Sequence, residues 1–102
     1  MNRNAIPFRI EIKVVGFDPL EKSQAALDIG AELEMRPQLE TPMVIDDLER
    51  NRVLIQTTIR DITPQGAAAQ VMDQLYEIIN VTVEQIDGLE IKIVGITSKG
   101  LS

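Results

Sequence analysis

Asp46, Asp47 and Glu49 form the densest acidic cluster of the chain. Carboxylate oxygens of this kind are what Ca2+ and Mg2+ take as ligands. The spacing works against such a site. In a strand, Asp46 and Asp47 point to opposite faces, and no glycine stands where the tight turn of a calcium loop needs one. The sequence therefore predicts no metal, and a solvated hairpin tip that also blunts an edge strand. Thr63-Pro64-Gln65-Gly66 opens a predicted helix, and a helix N-terminus can hold an anion. Pro64 removes one of the donors, and Arg60 is the one cation within reach by sequence. The segment reads as an N-cap followed by a packing glycine.

Cysteine, histidine and tryptophan are absent. Disulfides, thiolate nucleophiles, imidazole bases and the usual zinc ligands go with them. Carboxylates, lysine, Tyr76 and hydroxyls remain, and none recurs at a spacing that sets an acid against a base. The expectation is a protein that is not an enzyme and carries no cofactor. The 16 acids and 10 bases give a net charge of −6, spread over both halves of the chain. That field repels phosphate backbones, and Phe8, Phe17 and Tyr76 are too few for a base-stacking platform, so nucleic acid is not an expected partner. No apolar run approaches the roughly 20 residues that span a bilayer, and no signal-like segment opens the sequence. With no cysteine the expected compartment is the reducing cytoplasm, with no membrane partner. In that setting Asn80-Val81-Thr82 matches the glycosylation acceptor by chance.

The elements that must position these groups follow from hydrophobic period. Residues 8–15 alternate, with Phe8, Ile10, Ile12 and Val14 against Arg9, Glu11, Lys13 and Val15. Asp18-Pro19-Leu20-Glu21 supplies a cap, a proline for the first turn and a capping-box carboxylate, predicting a helix over 19–35. Its apolar face is read as Leu20, Ala26, Leu27, Gly30, Ala31 and Leu33. Gly30 in mid-helix points to a close approach to the sheet. Residues 43–48 make a strand of moderate quality. Glu49-Arg50-Asn51 makes a turn in which Asn51 suits a positive φ. Residues 52–62 alternate again, with Val53, Ile55, Thr57 and Ile59 inward. Thr63-Pro64 starts a second helix over 64–80 with a stripe of Ala67, Ala68, Val71, Met72, Leu75, Ile78 and Ile79. Residues 81–86 stay open between helix, strand and loop, including a hairpin with 89–96 around Asp87-Gly88. Residues 89–96 alternate, and Met35, Met43 and Met72 read as gap fillers in the core.

The order βαββαβ makes 1–102 a single α+β domain with loose termini at 1–7 and 97–102. Right-handed crossovers lead to a ferredoxin-like sandwich: a four-stranded antiparallel sheet, order 4-1-3-2, with two helices on one face. The predicted core is Phe8, Ile10, Ile12, Val14, Leu27, Leu33, Ile55, Ile59, Val71, Leu75, Ile79, Ile91 and Ile93. One register of the first and last strands sets Ile12 opposite Ile91, Glu11 opposite Lys92 and Lys13 opposite Glu90.

The helix-free face then carries Val15, Leu54, Val94 and Ile96 among Arg9, Glu11, Lys13, Gln56, Thr58, Arg60, Glu90 and Lys92. Aliphatics among charges suit a partly covered surface, and they also match the scattered exposed hydrophobics of ordinary surfaces. On the first reading the chain is a small cytoplasmic interaction or assembly module. It self-associates, as a homodimer, or docks a protein partner through Val15, Leu54, Val94 and Ile96. The βαββαβ order also resembles that of ACT-type domains, with Asp18-Pro19-Leu20-Glu21 standing where those domains carry a glycine-containing loop. That resemblance of element order implies, as the alternative, a regulatory small-molecule-sensing domain.

Overall fold

The alternation of apolar residues in the three clearest runs becomes three strands of one sheet. A computed structural model describes residues 4–83 and 87–98. Its elements are β1 (Ile6–Val15), α1 (Lys22–Glu34), β2 (Glu40–Asp47), β3 (Arg52–Asp61), α2 (Pro64–Thr82) and β4 (Glu90–Ser98). The strands are antiparallel neighbours in the order β2-β3-β1-β4, which is the predicted 4-1-3-2 arrangement. Both helices pack against one face of the sheet. Phe8, Ile10, Ile12 and Val14 of β1 and Val53, Ile55 and Ile59 of β3 are buried beneath them. Ile29 and Leu33 of α1 and Val71, Leu75, Ile78 and Ile79 of α2 complete the core, with Ile91 and Ile93 half-buried at the β4 side. Ile6, Pro7, Thr97 and Ser98 lie within strands rather than in loose ends. Asn4 and Ala5 are exposed and lie in no element, and residues 1–3 and 99–102 fall outside the described residues.

The first helix departs from its reading. Asp18 accepts from the Leu20 amide (3.0 Å), and its carbonyl closes a turn with the Glu21 amide (2.9 Å). That turn uses up the proposed cap, and α1 begins only at Lys22 with no side-chain cap bond. Ile29 and Leu33, one turn apart, set the buried face together with Ala25 and Ala26. Leu27 lies two positions before Ile29, about 200° round the helix. It is therefore 69% exposed instead of core, and Leu20 is exposed as well. Met35 and Met43 are exposed too, while Met72 does pack against the core. Asn51 does not take a positive φ; among the described non-glycine residues only Asn4 and Thr41 do. The Asn51 amide instead donates to the Phe17 carbonyl (2.7 Å), tying the β2–β3 turn to the end of β1.

Thr63 caps α2 as predicted, accepting from the Gly66 amide (3.0 Å). The helix continues through Val81 and Thr82, and the Thr82 hydroxyl donates back to the Ile78 carbonyl (2.7 Å). Val83 is extended, and residues 84–86 of the open segment lie outside the described residues. The β1–β4 register also differs, by two residues. Ile12 faces Ile93, Lys13 faces Lys92, and Val15 faces Glu90. Two glycines impose this. Gly16, at φ +103°, lies so close to the 87–88 turn that a Cβ there would sit 2.1 Å from the Gly88 carbonyl oxygen. With Gly88 held beside Gly16, β4 must start opposite Val15. A bulge then falls between Glu11 and Ile12, beyond which Glu11 faces Gly95 and Ile10 faces Ile96.

Candidate functional site: the helix-free face of the sheet

The bulge decides which predicted surface residues share a face. Opposed residues of a ladder point the same way. Val15 and Leu54 lie on the helix-free face, half-buried by their neighbours. Val94 is the extra residue of the bulge, beside Gly95 and Glu11 on that face, and is exposed. Ile96 does not join them. Its partner is Ile10, which is fully buried under the helices, so the bulge has turned Ile96 to the helix side.

Two residues not foreseen take its place. Ile45 stands opposite Leu54 and Met43 opposite Gln56, so both project from the helix-free face, and both are exposed. Met43, Ile45 and Leu54 make a continuous aliphatic strip along β2 and β3. The segment Met43-Val44-Ile45 is apolar on both sides of the strand, which hides its alternation in the sequence.

Beside the strip lies a fixed polar lattice. The Arg9 guanidinium donates to the Thr41 carbonyl (2.9 Å), the Thr41 hydroxyl (3.0 Å) and the Thr58 hydroxyl (3.1 Å), and reaches Gln56 Oε1 at 3.4 Å. Gln56 in turn donates to Glu11 Oε2 (2.7 Å). Arg60 pairs with Glu40 (3.2 Å) and Lys92 with Glu90 (3.6 Å), both exposed and worth little to stability. Lys13 and Lys92 stand directly opposite each other.

The acidic cluster is occupied by the protein itself. Asp46 and Asp47 diverge as strand neighbours must. On the helix side, the buried Lys22 ammonium donates to Asp46 Oδ1 and to the Asp47 carbonyl (2.8 Å), and the Ser23 hydroxyl donates to Asp46 Oδ2 (2.6 Å). On the other side, Asp47 takes Arg52 Nε (2.7 Å) and the amides of Glu49 and Arg50. Lys22, then Ser23, hold the Asp46 carboxyl below its ordinary value of 3.8 against the opposing effect of burial. Arg52, then the two amides, do the same for Asp47.

The α2 N-terminus holds an internal anion. Asp61 accepts from the amides of Ile62 (2.6 Å) and Thr63 (3.3 Å) and from the Gln70 side chain. Those two amides, followed by Gln70, lower its carboxyl. A Cβ on Gly66 would lie 2.6 Å from Asp61 Oδ1, so the glycine makes room for this carboxylate. Gly30 lies against Val44, whose Cγ2 would be 3.6 Å from a Cβ there, the close approach its position implied. A cleft of about 270 Å3 between α1 and the end of α2 is lined by Phe17, Leu20, Gln24, Asp28, Thr82 and Val83. It falls below the size of common small-molecule sites, about 300–1,000 Å3. Its Gln24 amide is already spent on Asp28 (3.0 Å). Comparison with protein-family models and with characterised proteins returns no match.

Proposed function

We propose that this chain is a small assembly module of the cytoplasm that binds rather than catalyses. Its helix-free sheet face packs on the same face of a second copy. The observation that carries the reading is the strip of Met43, Ile45 and Leu54 beside the Arg9–Gln56–Glu11 lattice. An antiparallel sheet face turned to water normally alternates to polar residues, and this one keeps aliphatics where β2 and β3 meet. The lattice supports the same reading. Its side chains are already ordered, so little conformational freedom is lost when a partner covers them. Charges of both signs allow the face to complement itself. The compartment rests on the cysteine-free composition; among the described residues no helix is long and apolar enough to cross a membrane.

Covering Leu54 or Ile45 completely contributes about 1.5–3 kcal/mol each. Leu54→Lys is expected to lower the assembly state in sedimentation equilibrium while leaving the circular dichroism spectrum and melting temperature of the fold in place. If wild type and Leu54→Lys have the same mass at every concentration, the face is ordinary surface. A wild type that meets only a different protein there would instead make the face a docking site for that partner.

A further inference from the structure

β4 ends the sheet on one side, so among the described residues one row of its backbone N–H and C=O groups has no strand beside it. Such an edge is a template for another strand unless something blocks it. From Glu90 to Ile93 it pairs with β1 without a bulge and contains no proline, and Leu89 leads directly into it. Leu89, Ile91 and Ile93 face the helices and are only half-buried, while Glu90 and Lys92 face the other way.

We infer that a second copy of this chain pairs with this edge, antiparallel, about a two-fold axis that passes through Ile91. This goes beyond the sheet-face contact and does not depend on it. The register follows from charge. A two-fold axis perpendicular to the sheet pairs residues of matching face only when it passes through a residue. With the axis at Glu90, two glutamates meet; with it at Lys92, two lysines meet. With the axis at Ile91, Ile91 meets its own copy, Leu89 meets Ile93, and Glu90 meets Lys92 twice.

The same register relieves a conflict inside each chain. Lys13 and Lys92 are opposed across the β1–β4 ladder, an arrangement that is unfavourable in a sheet. Within the chain Lys92 already has Glu90 of its own strand at 3.6 Å, and in the dimer it gains a second carboxylate from the other copy on its outer side. The helix layer continues as well. Gln70, Gln74 and Glu77 of α2 bond to Asp61, Gln38 and Arg36 on the α1 side. Ala68, Met72 and Tyr76 occupy the opposite flank, above β4, and Tyr76 is 51% exposed. Across the axis this flank meets its copy. The contact is isologous, so taken by itself it closes at a dimer.

The test is a charge-swap cycle in chains that also carry Leu54→Lys, which removes the sheet-face contact. Sedimentation velocity compares the unswapped chain with Glu90→Lys, Lys92→Glu and the double swap. Each single swap creates two like-charge contacts by symmetry and should weaken the dimer about tenfold. The double swap should restore it. Lys92→Glu removes the Lys13–Lys92 opposition but also the Glu90–Lys92 pair within the chain, so the melting temperature of each variant is measured beside its mass, and a weakened dimer counts only where the fold keeps its stability. Hydrogen exchange on the chain carrying Leu54→Lys gives a second reading, in which β4 amides become slower with rising concentration and β2 amides do not. A chain carrying Leu54→Lys that stays monomeric overturns the inference, as do four variants that associate alike or a double swap that does not recover.

Discussion

β2 and β4 close the two sides of one sheet, yet their outer backbones have been treated differently. On β2, Pro42 contributes no N–H, Thr41 takes a φ of 44°, and the register breaks between Glu40 and Met43. Its far end is held by Lys22, whose ammonium also takes the Asp47 carbonyl. Each feature spoils β2 as a template for a further strand. β4 has one bulge, and before it a straight run whose charges complement themselves under a two-fold axis. The difference leaves, among the described residues, one of the two outer strands regular enough to act as a template for a further strand. It also shows where stability and association separate: α1 and its lysine secure β2, whereas two glycines position β4.

The largest expected effect breaks the positioning of β4. Gly16→Ala introduces a Cβ into the space of the Gly88 carbonyl and strains a left-handed backbone. Urea denaturation should show a loss of about 3–5 kcal/mol. Gly88→Ala meets nothing within 4 Å and bears only the cost of its φ of 88°, about 1–2 kcal/mol. Equal losses for the two would mean that the Gly16–Gly88 contact does not set the β4 register.

Next comes β2. Lys22→Met keeps the buried stem and removes the ammonium, leaving the Asp46 carboxylate with Ser23 and the Asp47 carbonyl without its side-chain donor. The expected cost is about 1–3 kcal/mol, and hydrogen exchange should quicken in β2 while β4 keeps its protection. Uniform acceleration over the whole sheet would show that Lys22 does not act on β2 in particular.

The smallest effect is on pH dependence. Asp46, Asp47 and Asp61 all have folded values lowered from 3.8. The unfolded chain therefore binds their protons more readily, so their contribution is complete above the unfolded value and is lost as pH falls through the folded ones. Stability should drop on acidification below about pH 4. Asp46→Asn, which gives up the Lys22 pairing at neutral pH, should flatten that drop. An unchanged acid slope in Asp46→Asn would remove Asp46 from the account.

These contrasts also mark what the residue pattern can carry. β1, β3 and α2 were legible because each has one apolar face and one polar face, and Thr63-Pro64 marks the start of α2. Sheet order followed from element order and crossover handedness. The phase of α1 was not legible, because Leu20 and Leu27 look like core while the helix starts late and turns on Ile29 and Leu33. The bulge was not legible either. It inserts Val94 between the partners of Ile12 and Glu11 and moves Ile96 to the helix side, while the register before it goes with a contact between Gly16 and Gly88, 72 positions apart in the chain. Of the proposed surface, Val15, Leu54 and Val94 share a face. Met43 and Ile45 were hidden in a run apolar on both sides. Lys22 gave no signal, since a lysine that buries its stem looks like any surface lysine.

The helix-free face is tested most directly by the methyl NMR spectrum of the unmutated chain as concentration rises. The chain exposes many aliphatics, so the question is which of them move. Shifts are expected at Val15, Ile45, Leu54 and Val94, with those at the β4 edge following independently. Exposed Leu20, Leu27, Leu48 and Ile62 should stay fixed. Shifts confined to that second group, or none at Ile45 and Leu54 at the highest concentration, would show that the helix-free face does not bind a second copy.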